Sequence, residues 1–266
     1  MTAYEKVKIA RDQQRPTASA YIGQLLHEVT LLHGDRNFGD DDAILGGIGL
    51  LGDTPVTFIG IERGTDLESR IRCNFGAPRP EGYRKALRLM KQAEKFHRPV
   101  ICLVDTSGAH CGADAEERGQ GQAIAENLME MMGLKTPVIS VIIGEGGSGG
   151  ALGLAVADRI YMLENAVYSV ISPEGCASIL FKEQGAEAEA AECLHLTAQD
   201  NKKLRVAEDV IPEDFKHFHA MCLSLRERLL GDIALLSAQS VETLLNNRYA
   251  RFRRLGIYEG GKGRSI

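Results

Sequence analysis

Residues 138–157 read VISVIIGEGGSGGALGLAVA: an apolar β-branched run, five glycines in seven residues, then a stretch of small residues. Val138 to Ile143 has the length and branching of a buried parallel strand, and helical spacing begins at Gly150. The glycines therefore fall where a strand hands over to a helix N-terminus. Unpaired N–H groups and the helix dipole at such a place favour an anion or a developing oxyanion. Glycine lets the backbone take positive φ there and lets another group approach closely.

Several templates fit this turn. Gly144, Gly146 and Gly149 have the G-x-G-x-x-G spacing of a dinucleotide fingerprint, while Gly146, Ser148 and Gly150 have the G-x-S-x-G spacing of a nucleophile elbow. A third reading is a pair of backbone amides that stabilise an oxyanion with no side chain in the chemistry. A fourth is close helix-to-strand packing without a ligand. The first two are poorly supported elsewhere. A dinucleotide site wants its fingerprint at the first strand and an acid about 20 positions on, whereas Glu164 lies fifteen past Gly149. A serine hydrolase wants a histidine in a loop, and His195, His217 and His219 are poorly placed for that role.

Outward from this turn the pattern repeats. Upstream, Val100 to Val104 reads as a strand, DTSGAHCGADAEERGQG (105–121) as a loop, and the chain from there to Met132 as a helix. Downstream, strands at Arg159 to Leu163 and Tyr168 to Ile171 lead into Ser172-Pro173-Glu174-Gly175. Repeated units of this kind predict a largely parallel sheet or spiral with right-handed connections and its active loops at the strand C-terminal ends. Nearer the start, Thr17 opens a helix with Tyr21, Ile22, Leu25, Leu26, Val29 and Leu32 on one side. Ile44 to Leu51 and Val56 to Ile61 form an antiparallel hairpin at a sheet edge. Arg63 to Pro80 reads as a long loop, of the functional kind, carrying Arg70, Arg72 and Arg79. A helix follows from Glu81 to Phe96, with Tyr83, Ala86, Leu87, Met90 and Ala93 inward and Arg84, Lys85, Arg88 and Lys91 outward. Residues 1–15 are polar, mobile or a short helix. Past Lys182 the chain turns helical: an Ala/Glu-rich run at 183–192, a Thr197/Asp200 capping box, a short strand at Val210-Ile211, then helix from Phe215 to Tyr249. Arg248, Arg251, Arg253, Arg254 and a glycine-rich tail close it.

Composition narrows the function classes. The chain has 266 residues, 44% of them hydrophobic, and 31 Lys+Arg against 36 Asp+Glu for a net charge of −5. A net acidic balance argues against nucleic acid as the principal partner. No run of about 18 apolar residues and no signal-type N-terminus occurs, so a cytoplasmic, non-membrane protein is expected. The six cysteines lack C-x-x-C or zinc-like spacing with histidine, so no metal site is expected. Cys111, in the glycine-rich loop, is the exception to their reading as small core residues.

Longer motifs then carry a resemblance. GDRNFGDD (34–41), CNFGAPRPEGYRKALRLMKQAEKF (73–96), RPVICLVDTSGA (98–109), EERGQG (116–121), GLKTPVISVIIGEGGSGGALGLAVAD (133–158) and MLENAVYSVISPEG (162–175) resemble the alpha subunit of the carboxyltransferase component of bacterial acetyl-CoA carboxylase, over about Arg15 to Pro212. The resemblance implies an α/β, crotonase-like (ClpP/crotonase) spiral of repeated ββα units with additional C-terminal helices. It divides the chain into an N-terminal segment (1–15), a core (16–212) and a C-terminal helical extension (213–266) within one domain. It implies transfer of a carboxyl group from carboxybiotin on a biotin carboxyl carrier protein to acetyl-CoA, giving malonyl-CoA for fatty acid biosynthesis. It implies an α2β2 assembly with a homologous beta subunit that holds most of the acetyl-CoA and the zinc, working with biotin carboxylase. No covalently bound cofactor is expected on this chain.

Carried over by position, Gly149 and Gly150 are the amide pair facing the biotin ureido oxygen. Gly146, Gly147 and Ala151 neighbour them on the biotin side, and Gly108 and Ala109 line the same cavity. Ser148 is then a small turn residue. The chain departs from the family at Ser107, where proline is usual, and at His110, where an aromatic residue is usual. Those departures keep a second expectation alive: a non-catalytic subunit that only binds or positions the carrier or the partner.

Overall fold

The computed structural model describes residues 1–182 and 185–256. The glycine-rich tail and the first two residues of the Ala/Glu-rich run lie outside that range. The N-terminal segment is a helix, α1 (Ala3–Ala10), started by a reciprocal capping box between Thr2 and Glu5. Ala3, Val7 and Ala10 pack it onto Val167, Ala191 and Leu196. Helix α2 (Ala18–Leu25) begins where Thr17 predicts. Its cap is supplied from afar, because the Ser19 N–H donates to Glu62 Oε2 at 2.8 Å.

Helix α2 is shorter than its periodicity predicts. Leu26 turns extended and β1 (His27–Leu31) follows, so Val29 and Leu32 are not on a helix. Pairing with β2 (Ile44–Leu51) overrides the local pattern. Gly47 permits it: a Cβ there would lie 2.2 Å from Thr30 O. Strand β3 (Thr54–Ile61) returns across the two-residue turn Gly52-Asp53, so the predicted hairpin forms, with β1 rather than β2 at the edge.

The stretch from Arg63 to Pro80 is not a bare loop. It holds α3 (Leu67–Arg72), capped reciprocally by Asp66 and Ser69, and a 3-10 turn at Asn74–Gly76. Helix α4 (Pro80–Lys95) corrects two inward–outward assignments. Lys85 is 1% exposed, donating to Asp41 O at 2.8 Å and to the Asp40 carboxylate, and Leu89, not Leu87, takes the core position.

Beyond α4 come β4 (Val100–Thr106), α5 (Ala113–Glu117), α6 (Gln120–Gly133), β5 (Val138–Gly147), α7 (Ser148–Leu152), β6 (Arg159–Leu163), β7 (Val167–Ser169), α8 (Pro173–Cys176), α9 (Glu187–Cys193), α10 (Ala198–Lys203), β8 (Asp209–Ile211), α11 (Phe218–Ser237) and α12 (Val241–Arg253). The sheet runs β1-β2-β3-β4-β5-β6-β8, antiparallel as far as β3 and parallel from there. Strand β5 forks: Ile139 to Ile142 pair with β6, and Glu145 to Gly147 pair with β7. That fork is the turn of the spiral. Helices cover both faces: Gly46 leaves room for Leu89 of α4, while Gly60, on the opposite face, leaves room for Ala18 and Ile22 of α2. Parallel strands covered on both faces are buried throughout, as β4 is.

Two of the four C-terminal arginines are buried. Arg248, 1% exposed, donates to Asp158 at 2.7 and 2.8 Å and to the carbonyls of Met131, Leu134 and Thr136. Arg251 pairs with Glu208. Leu225, Leu229, Ile233 and Leu236 of α11 share the hydrophobic cluster of the sheet.

Candidate active site

The glycines of 144–150 are not a free loop. Strand β5 continues through Gly147, and α7 starts at Ser148 with φ of 50° and no intervening turn. Glycine is required because two backbones touch. A Cβ on Gly147 would lie 2.1 Å from Ser107 O, one on Gly150 2.4 Å from Ala109 N, and one on Gly144 2.4 Å from Asp105 Oδ1. The structure thus brings Gly147 and Gly150 against Gly108 and Ala109. Gly146 sits in the ladder between Thr106 and Tyr168. Gly149 differs from them all, since only Ile124 Cγ2, at 3.8 Å, lies near its missing side chain. The Ala151 side chain is buried in the main core.

Helix α7 presents its first-turn amides without intrahelical acceptors. Among the described residues no other acceptor is found for the amides of Gly149 and Gly150. By contrast, the Gly108 amide is engaged, donating to Thr106 Oγ1 at 3.0 Å. From behind, the Tyr83 hydroxyl donates to Gly150 O at 2.9 Å and Asn127 Nδ2 donates to Gly153 O at 3.1 Å. Burial pushes the Tyr83 phenol well above its ordinary value, so it remains a donor.

Beneath the glycines lies a charged network that sequence reading passed over. Asp105, the penultimate residue of β4, accepts the Glu145 N–H at 2.8 Å and a hydrogen bond from Arg63 Nη1 at 2.9 Å. Glu145 is held by Arg11 at 2.7 Å, and Arg11 also reaches Glu174 at 2.7 Å. Arg15 donates to Ile143 O at 2.7 Å and pairs with Glu213. Burial raises the Asp105 carboxyl, with Arg63 the main opposing influence. The available signal was a carboxylate inside each buried strand, Asp105 after VICLV and Glu145 among the glycines. A charge there requires a partner.

Beside the α7 N-terminus opens a cavity of about 280 Å³ lined by Ser148, Gly149, Leu152, Tyr168, Ser169, Val170, Asn201 and Val206. Burial pushes the Tyr168 phenol up to about 12, so it is protonated at neutral pH. Ser148 is exposed, and no histidine is bonded to it among the described residues. That removes the nucleophile-elbow reading. His110 lies outside the cavity and faces Asp114 at 3.3 Å. Among the described residues no group of three or more His, Cys, Asp or Glu is placed to hold a metal ion, and no helix is long and apolar enough to cross a membrane.

The forked parallel spiral, with its glycine-built helix start beside an apolar cavity, is a crotonase-type fold. Solved structures share that fold. Transcarboxylase 12S, with methylmalonyl-coenzyme A and methylmalonic acid bound, matches with a TM-score of 0.67 at 17% identity over 96% of this chain and 45% of the other. The beta subunit of Pseudomonas aeruginosa geranyl-CoA carboxylase matches with a TM-score of 0.63 at 15% identity over 100% and 48%. The chain therefore spans just under half the length of those neighbours. Its sequence is far closer to acetyl-coenzyme A carboxylase carboxyl transferase subunit alpha. It is 56% identical to that of Ruminiclostridium cellulolyticum over 97% of this chain and 99% of the relative, and 55% identical to that of Clostridium perfringens over 95% of each. The profile described as "Acetyl co-enzyme A carboxylase carboxyltransferase-like" matches residues 1–256. The chain belongs to that family, a family of transferases. A Natranaerobius thermophilus relative named for subunits beta/alpha, 51% identical, carries the matching region in 43% of its length.

Proposed function

We propose that this chain is the alpha half of a carboxyltransferase that moves a carboxyl group from carboxybiotin, on a biotin carboxyl carrier protein, to acetyl-CoA. The observation that carries the reading is the pair of unengaged amides, Gly149 and Gly150, at the start of a helix whose Ser148, Gly149 and Leu152 line an apolar cavity of about 280 Å³. When the N–CO2 bond of carboxybiotin breaks, the electron pair stays on the ureido group and charge develops on its oxygen. The amides of α7 stabilise that oxygen, a role in which one donor is worth roughly 3 kcal/mol. The ureido anion takes a proton from the acetyl methyl, and the resulting enolate attacks the released CO2 to give malonyl-CoA. No acidic or basic side chain of this chain is needed.

Each carried-over residue then has a distinct part. Gly147, Gly150, Gly108 and Ala109 let the two backbones touch and fix the amides. Gly146 carries the strand past Tyr168. Gly149 leaves the cavity wall open, and Ala151 anchors the helix in the core. A beta-type partner completes the site in an α2β2 assembly, in keeping with the beta/alpha relative, and the carrier and biotin carboxylase supply the carboxyl group in the cytoplasm. The C-terminal extension belongs to the same domain as the core, which the shared hydrophobic cluster and the Arg248–Asp158 pair support.

The test combines the chain with its beta partner, malonyl-CoA and biocytin, and follows loss of malonyl-CoA. Transfer that requires both subunits is expected. A stable complex that transfers nothing would return the chain to the non-catalytic reading that Ser107 and His110 suggested.

A further inference from the structure

A second cleft, of about 340 Å³, lies where α10, the turn into β8 and the end of α12 meet, lined by Lys202, Arg205, Ala207, Glu208, Arg251 and Arg254. Four cations face one carboxylate there, and that carboxylate is already engaged. Glu208 accepts from Arg251 at 2.6 and 2.9 Å and from the Ile160 N–H at 2.6 Å. Lys202 is held by Asp209 at 2.7 Å. Arg205 and Arg254 are exposed on the cleft, and among the described residues neither has an acidic partner within salt-bridge distance.

Arg251 adds an independent observation. The residue is 8% exposed, its Nε and Nη2 are bonded to Glu208 and to Val206 O, and its Nη1 is buried with no partner. A buried guanidinium arm without an acceptor is costly and is ordinarily satisfied by water or an anion. Guanidinium forks match phosphate oxygens in bidentate geometry, and three such groups exceed what a single carboxylate would neutralise. The cleft volume suits a small molecule. We infer that this cleft binds a phosphate-bearing small molecule through Arg205, Arg251 and Arg254. The site is separate from the glycine turn, although Val206 links the two: it lines the apolar cavity, and its carbonyl accepts from Arg251.

Calorimetric titration of the full chain with inorganic pyrophosphate and with ADP, at matched ionic strength, tests this directly. One-to-one binding is expected, weakened about tenfold or more in the Arg205→Ala/Arg254→Ala double variant, as loss of two charge-assisted contacts predicts. Both positions are exposed, so that variant should melt with the parent chain. Tighter binding of ADP than of pyrophosphate would mark an organic phosphate ester as the ligand, and equal binding would mark the phosphate group alone. Heats no larger than those from sodium chloride, or binding unchanged in the double variant, would overturn the inference.

Discussion

The glycine turn and the C-terminal corner both clamp distant segments together, with opposite parts of the chain. In the turn, backbone meets backbone: Gly147 and Gly150 lie against Ser107 to Ala109 with no room for a side chain. In the corner, one long side chain does the joining, as Arg248 of α12 reaches three carbonyls around the end of α6 and the Asp158 carboxylate. Asp158 in turn accepts the Val138 N–H at 2.8 Å, the first residue of the strand that ends in the glycines. At Gly147 and Gly150 the turn is therefore sensitive to any added atom, the corner to the removal of one charge.

Breaking the turn should have the largest effect. Gly150→Val forces a Cβ to within 2.4 Å of Ala109 N, so the β4–α5 loop must move and the amides lose their aim. Carboxyl transfer with the beta partner should fall by about a hundredfold or more. Gly149→Ala sharpens the contrast, because its methyl meets only Ile124 at 3.8 Å. Its melting temperature should stay with the parent while transfer slows through the narrowed cavity. An equal loss of stability in both variants would remove the distinction between packed and open glycines.

Breaking the corner comes next. Arg248→Ala leaves Asp158 buried without its cation and takes a donor from three carbonyls, at a cost of about 3–5 kcal/mol. Urea unfolding should show the midpoint shift, and α12 should lose hydrogen-exchange protection first. A shift below about 1 kcal/mol would mean that the extension is held by α11 packing alone.

The two regions also differ in how far they could be read beforehand. Glycine density, a β-branched run and small residues placed the turn to within a few positions, because backbone contact leaves its mark in composition. The parallel crossovers were legible for the same reason. Arg248 and Arg251 carried no such mark: an arginine near a chain end looks the same whether solvated or buried, and only tertiary packing showed their partners. Lys85 was misplaced likewise, since helical periodicity cannot show that the Asp40–Asp41 turn folds over it. Val29 was lost to β1 because a glycine on another strand, Gly47, made room for Thr30.

Between the extremes stands Tyr83, a side chain that serves the turn. Tyr83→Phe removes the donor to Gly150 O while keeping the ring against Gly153. About 1 kcal/mol of stability should go. Transfer should slow with little change in the apparent affinity for malonyl-CoA if, as proposed, the beta-type partner holds the coenzyme A end. A large rise in KM instead would place the coenzyme A end of the substrate on this subunit.

The smallest expected effect is electrostatic and lies in the charged network, where Arg11 links Glu145 to Glu174. The hydrogen bond from Arg11 is the main cause that holds the Glu174 carboxyl below its ordinary 4.5. A carboxyl lowered on folding stabilises the fold above its unfolded value, and that contribution is lost as pH falls through the folded value. Glu174 is 43% exposed at the side chain, so solvent screening limits the pair to about 0.5 kcal/mol. Glu174→Gln should therefore differ from the parent by that amount at pH 7, by less in high salt, and by nothing once the pH is below the folded value. A difference that persisted in strong acid would show that the Gln side chain disturbs packing, because a protonated Glu174 offers Arg11 no charge to lose.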